Sequence, residues 1–268
     1  MCNDSKKNNP LVSIIIPAYN CEKFIEETVN SCLKQTYQNI EIICIDDCSS
    51  DDTFNVLKSL SISCQKLTVA QMPFNSKPAA VRNLAIKMSN GSFILPLDGD
   101  DLISPSYIAR AITVFIENPS ISVVYCKANY FGEKTGGWQL PPFDELEIIE
   151  KNMVHCSALY RKNDWLKLGG YCENLIHGRE DWDFWLQFVK RKMFFYRIPE
   201  VLFFYRQLPK SRSSFLTDTE KVKNTSKLIY RRNVILHIRK MKREGSINSI
   251  KMCKMILSSF YWRYFPPK

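Results

Sequence analysis

The chain has 268 residues, 45% of them hydrophobic, which is enough to bury a full core, and its net charge of +10 is unevenly spread. Residues 205–268 hold 16 Lys/Arg against 3 Asp/Glu, whereas residues 1–204 hold 21 against 24, so a faintly acidic body carries a strongly basic extension. No run approaches the ~18–20 apolar residues of a membrane span, Met1 to Asn9 is polar rather than a leader, and ten scattered cysteines lack zinc spacing, which excludes a membrane-spanning chain and a disulfide scaffold and points to thiols in a reducing cytoplasm.

Leu11 to Pro17 is an apolar, β-branched run that predicts a buried strand. After Ala18-Tyr19-Asn20 comes a helical pattern with Phe24, Ile25, Thr28, Val29, Cys32 and Leu33 on one face. Ile40 to Ile45 predicts a second strand, ending at Asp46-Asp47, with a helix opening near Asp51. Leu67 to Met72 predicts a third strand and Pro78 to Met88 a third helix. Phe93, Ile94, Leu95 and Leu97 predict a fourth strand that stops at Asp98, Asp100 and Asp101. Ser104-Pro105 reads as an N-cap and first-turn proline of a helix reaching Glu117, which leaves the acids in an exposed strand-to-helix loop. Such alternation argues for a mostly parallel sheet with helices on both faces, a fold that binds ligands at the carboxyl ends of its strands. Two acids one residue apart repel each other. A hard divalent cation shared with phosphate oxygens would relieve them, and a solvated acidic turn is the alternative.

Farther on, Ile121 to Cys126 predicts a strand, residues 127–152 an irregular excursion of the length that tends to be functional, and His155 to Tyr160 a return to the sheet. Glu180 to Val189 predicts a helix whose Trp182, Trp185, Leu186 and Val189 face the core and whose acidic start suits the helix dipole. Phe194 to Ile198 and Val201 to Tyr205 read as two short strands, and Glu220 to Arg243 and Ile247 to Tyr261 as two cationic helices.

Four signals follow one another in a fixed order: Pro17-Ala-Tyr-Asn20, Asp46-Asp47-Cys-Ser-Ser-Asp51, Asp98-Gly-Asp-Asp101 and Gly178-Arg-Glu-Asp-Trp-Asp183, with Asn75 and Ala79-Ala-Val-Arg-Asn83 before the third. Together they resemble the family 2 glycosyltransferases of the GT-A fold, over residues 10 to 215. The resemblance implies an α/β, Rossmann-like domain over 1–215, with about 10–104 binding a nucleotide sugar and 105–215 supplying the acceptor side and base, followed by a basic helical extension at 216–268. It implies inverting transfer from a UDP-sugar to a glycan or lipid-linked hydroxyl, in surface polysaccharide synthesis, with Mg²⁺ or Mn²⁺ as cofactor. On that resemblance Pro17 and Tyr19 shape the nucleotide pocket, Asp47 accepts the uracil ring N–H, Asp98 bonds ribose or sugar hydroxyls, and Asp100 holds the metal. Asp181, in the Glu180-Asp181 pair, is the implied general base. Three alternatives stay open: Arg82 meets the phosphates or forms a helix-surface ion pair, Asp46 and Asp47 cap the helix near Asp51, and Glu180 and Asp181 only complement a helix dipole.

Two departures from the family stand out. Cys48 occupies a position where many relatives carry Gly, so a left-handed backbone there would be uncomfortable. No histidine lies near Tyr205 to Ser211, which leaves Arg206, Lys210, Ser211 and Arg212 for the diphosphate. Acceptor contacts are expected from residues 127–160 and the loop before Glu180, including Trp138, His155 and His177. A sugar nucleotidyltransferase would show a Gly-rich first loop, and Pro17 to Cys21 has no glycine; an inactive homologue or basic scaffold would be expected to lose Asp100 or Asp181, and both are present. The basic extension suits peripheral attachment to an anionic membrane face or packing on the acidic domain, and no nucleic-acid module is visible.

Overall fold

The structure, a computed structural model, describes residues 9–209, 219–246, 252, 254 and 255. In chain order come β1 (Val12–Ala18), α1 (Ile25–Leu33), β2 (Ile40–Asp46), α2 (Thr53–Ser63), β3 (Leu67–Gln71), α3 (Lys77–Met88) and β4 (Phe93–Pro96). They are followed by β5 (Leu102–Ile103), α4 (Tyr107–Glu117), β6 (Ile121–Gly132), β7 (Gly136–Trp138), a 3₁₀ turn (Glu147–Ile149), β8 (Leu159–Arg161) and α5 (Lys162–Leu168). Helix α6 (Glu180–Lys190), strand β9 (Phe194–Gln207) and helices α7 (Thr219–Arg232) and α8 (Val234–Arg243) complete the described chain.

The strands form one sheet in the order β3-β2-β1-β4-β8-β6-β9-β5, with β7 on β6. Strands β3, β2, β1 and β4 are mutually parallel, which brings the carboxyl ends of β1, β2 and β4 side by side. Strand β8 joins β4 to β6 in antiparallel register, and β9 returns parallel to β6. The period of two in β1 feeds both faces. Ile14 and Ile16 pack with Ile25, Val29 and Phe115 on one side, and Ile15 with Val81, Ile94 and Ile86 on the other, each buried side chain contributing about 1.5–3 kcal/mol.

The mostly parallel α/β architecture is as expected, and four local readings change. Phe194 to Ile198 and Val201 to Tyr205 are one strand, β9: Ile198 pairs with Cys126 and Val201 with Lys127, so Pro199 and Glu200 form an extra two-residue bulge. The prolyl nitrogen cannot donate to the ladder, which fits a bulge. The helix expected from Ser104-Pro105 begins at Tyr107, after a turn in which Tyr107 N donates to Ser104 O at 3.0 Å, while the Ser104 N–H donates to Leu202 O at 2.9 Å and its carbonyl also accepts from Gln35 Nε2 at 2.8 Å. Leu102 and Ile103 meanwhile pair with Phe204 and Phe203. The region 127–152 is less irregular than its glycines suggest, since β6 continues to Gly132 and pairs with β7. The return to the sheet begins only at Leu159.

The first cationic segment forms α7 and α8, which break at the buried Asn233, and their Ile229 and Leu236 join the core beside α6. The predicted helix over 247–261 lies almost wholly outside the described residues, as do Lys210, Ser211 and Arg212. Among the described residues no helix is long and apolar enough to cross a membrane.

Candidate active site

Strand β4 delivers its acids into a tight turn, closed by Asp101 N donating to Asp98 O at 3.1 Å. At Gly99 a Cβ would come within 2.9 Å of Cys21 Sγ and 3.4 Å of Pro17 O, so only glycine lets the turn press against the β1–α1 connection. The loop is not the exposed one expected from the sequence: Asp98 and Asp100 are half-buried and Asp101 fully buried. Burial, with the charge of Asp98 next, pushes the Asp100 carboxyl up to about 6. Burial, then Asp100 and Asp98, pushes Asp101 well above the ordinary carboxylate range.

Arg206, at the end of β9, steadies this turn. Its backbone N–H donates to Asp101 Oδ1 at 2.8 Å, its Nε to Asp100 O at 2.7 Å and its Nη2 to Glu27 Oε2 at 2.5 Å. The guanidinium lies 4.5 Å from the ring centre of Phe24 and 4.3 Å from that of Phe131. All of these contacts are within the protein. Asp98, Asp101 and Cys156 offer ligand atoms within 4.8 Å of one another, and Asp101 Oδ2 has no hydrogen-bond partner. The raised proton affinity of Asp100 and Asp101 and the orphaned oxygen of Asp101 suit a divalent cation, so the carboxylates of this turn fit Mg²⁺ or Mn²⁺. Asp100, expected to hold the metal, sits in the same turn but outside that trio.

Arg82, on α3, resolves its two readings in a third way. It is 1% exposed and bridges two acids, donating through Nη2 to Asp98 Oδ1 at 2.5 Å and through Nη1 to Glu180 Oε1 at 2.7 Å. Burial works against its charge, and Asp98 and then Glu180 overcome that to hold its pKa well above the ordinary value. The bridge draws the acid turn of β4 and the start of α6 into one site. Beside it, the half-buried Asp181 accepts from Asn152 Nδ2 at 2.9 Å, and burial followed by the charge of Glu180 raises its carboxyl to about 6. A carboxylate so tuned is largely ionised at neutral pH and still basic enough to take a proton. Trp182 and Trp185 are core residues as expected, with their indole N–H groups on Ile148 O (2.6 Å) and Val154 O (3.1 Å).

Pro17 lies in β1 against the turn, and Tyr19, just past the strand, is 51% exposed. Asp47 is buried, its Oδ1 accepting from Ser76 N at 2.6 Å and its Oδ2 from Lys77 N at 2.9 Å, so it caps the start of α3. Asp46 braces the turn after β2 by accepting from Ser49 N (3.1 Å) and Gln71 Nε2 (2.9 Å). Neither acid caps α2 directly, where Asp51 Oδ1 accepts from Thr53 N at 3.0 Å. Cys48 does take the left-handed conformation that glycine would favour, with φ of 60°. Asn20, Lys77, Arg179 and Lys192 are left-handed as well, Lys77 beside the Asp47 carboxylate and Arg179 immediately before Glu180.

Sequence reasoning gave Asp101, Cys156 and Asn152 no role, and for Asn152 no local signal exists. His155 drops out as an acceptor contact: it is 2% exposed, stacked on Phe203, and burial lowers its imidazole to about 3. Trp138 remains half-buried against Tyr130 and Tyr205, and His177 is exposed.

The family model described as "Glycosyl transferase family 2" matches residues 13–177. An uncharacterized glycosyltransferase of Haemophilus influenzae is 30% identical over 68% of this chain and 73% of its own length. The Escherichia coli UDP-Glc:alpha-D-GlcNAc-diphosphoundecaprenol beta-1,3-glucosyltransferase WfaP is 40% identical over 49% of this chain and 52% of its own. Among solved structures, S. aureus TarS 1-349 in complex with UDP-GlcNAc superposes with a TM-score of 0.68 at 20% identity, covering 86% of this chain and 72% of that one.

Proposed function

The chain belongs to glycosyl transferase family 2, and from that premise we propose that it moves a sugar, with inversion, from a UDP-sugar to a hydroxyl of a glycan or lipid-linked acceptor, as in surface polysaccharide synthesis. The observation that carries this is the Arg82 bridge, which couples Asp98 on the strand side to Glu180 beside the base. Asp181 accepts the proton of the acceptor hydroxyl as its oxygen attacks the anomeric carbon. The bond from that carbon to the diphosphate breaks on the opposite face, and UDP departs. Because the acceptor oxygen attacks directly in a single displacement, the anomeric configuration inverts.

On the donor side Tyr19 and Pro17 wall the nucleotide, and Asp98 takes ribose or sugar hydroxyls through the oxygen that Arg82 leaves open. Asp47 accepts the uracil N–H with a lone pair left over from its two backbone bonds, since a carboxylate has about four such sites. Asp100, with Asp98 and Asp101 around it, would hold Mg²⁺ or Mn²⁺, which would supply positive charge against the leaving diphosphate. Arg206 reaches the diphosphate on parting from the exposed Glu27. The names of relatives point the same way: WfaP is a UDP-Glc-dependent glucosyltransferase acting on a diphosphoundecaprenol-linked sugar, and TarS is seen with UDP-GlcNAc. A substrate carried on such a lipid favours work at the cytoplasmic membrane face. A binding and hydrolysis screen of the purified chain against nucleotide sugars, with and without Mn²⁺, tests base, sugar and metal together. Preference for a non-uridine donor, or turnover indifferent to EDTA, would overturn the corresponding assignment.

A further inference from the structure

We propose that the C-terminal extension is part of the catalytic unit: Asp183, Arg232 and Asn233 are positioning residues that fix the first turn of α6 and with it the Asp181 carboxylate. The inference deepens the reading above and rests on Asp181 as the base. Asp183 is 1% exposed, and its partners come from the junction of α7 and α8. Arg232 Nε donates to Oδ1 at 3.1 Å and Oδ2 at 3.0 Å, and Asn233 Nδ2 donates to Oδ1 at 2.9 Å. Asn233 in turn accepts from Gln187 Nε2 at 3.2 Å, one turn farther along α6.

On the other side of the acid pair, Arg179 donates through Nη1 to Ser226 Oγ of α7 at 3.0 Å and lies over the Trp182 ring at 5.7 Å. The extension therefore grips residues 179 and 183, immediately outside Glu180 and Asp181. The first turn of a helix is where backbone donors lack carbonyl partners and fraying begins. A buried carboxylate there requires its cation, so Asp183 cannot leave Arg232 without large loss. With Arg82 holding Glu180 from α3, the turn that carries the base is held from both sides. A reacting group displaced by ~1 Å can lose on the order of 10²-fold in rate, so this grip has a kinetic consequence.

The test uses the full chain with Arg232→Met, Arg232→Lys and, as control, Arg243→Ala, which pairs with the exposed Glu145 rather than with a residue of α6. With a donor that the wild type turns over, Arg232→Met is expected to lower kcat per folded molecule by roughly 10-fold or more, with donor KM held within about twofold. Arg232→Lys recovers part of the loss, and Arg243→Ala matches the wild type. Amide hydrogen exchange over residues 180–184 reads the clamp without any turnover: it should be faster in Arg232→Met and unchanged in Arg243→Ala. Equal exchange rates, or a lower melting temperature with unchanged kcat per folded molecule, would overturn the clamp. A wild type that turns over no nucleotide sugar while exchange still responds would instead reject the transferase reading and leave the clamp standing.

Discussion

At Asp181 catalysis and stability pull in opposite directions. Its carboxyl is raised from 3.8 to about 6, mainly by burial, so the stability associated with it is fully present below 3.8 and is lost as pH rises through 6. In its proposed role as base, Asp181 works only when ionised, so turnover should climb through about pH 6. Asp181→Asn is expected to cut kcat on the order of 10²–10⁴-fold, with donor binding nearly unchanged, and to raise the melting temperature at pH well above 6 but not below 4. Kinetics and thermal melts over a shared pH series check both signs, and near-normal turnover would move the base elsewhere. Cys48 offers a cleaner case of backbone strain. Its side chain is exposed at φ of 60°, so Cys48→Gly should stabilise by about 1 kcal/mol, or about 2–4 °C in melting temperature. An unchanged or lower melting point would count against strain at that residue.

Among elements, the acid turn after β4 behaves unlike an ordinary surface loop. Asp100 carries a charge opposed by burial and by Asp98, so Asp100→Ala should leave the fold at least as stable while removing the gain in UDP-sugar affinity produced by Mn²⁺. Calorimetric titration with and without the ion measures this, and undiminished metal dependence would shift the ion to Asp98, Asp101 and Cys156. The parallel strands were legible because Ile14 to Ile16, Ile42 to Ile45 and Ile94 to Leu97 are unbroken apolar runs, each followed by its own turn chemistry. What escaped is what depends on distance along the chain. Arg82 and Glu180 are 98 positions apart, and nothing local marks one as the partner of the other. Asp47 looks in sequence like a cap for the next helix, yet it caps the one after, because strand order sets the C-terminal end of β2 beside the start of α3. Asn152 lies in a stretch without periodicity, and only the packed fold aims it at Asp181.

For the whole molecule, the extension has two faces with different partners. One packs inward through Arg232 on Asp183 and Lys240 on Glu150, so the docking alternative for the basic tail holds for these helices. The other leaves Lys223, Lys227 and Tyr230 outward on α7 at helical spacing. Each lysine near an anionic leaflet adds about 1 kcal/mol, so the intact chain should sediment with anionic liposomes at low salt, and Lys223→Glu with Lys227→Glu should release it. Failure of the intact chain to sediment would remove the membrane from the proposal. The Arg82 bridge also bears on how this protein could be recombined. A crossover between residues 104 and 180 would separate a buried cation from one of its two anions, so chimeras with relatives lacking an acid at position 180 should fold poorly, whereas junctions that transplant Arg82, Asp98 and Glu180 as a set should yield soluble hybrids. The natural unit of exchange is then a trio of charges scattered along the chain rather than a contiguous half of it.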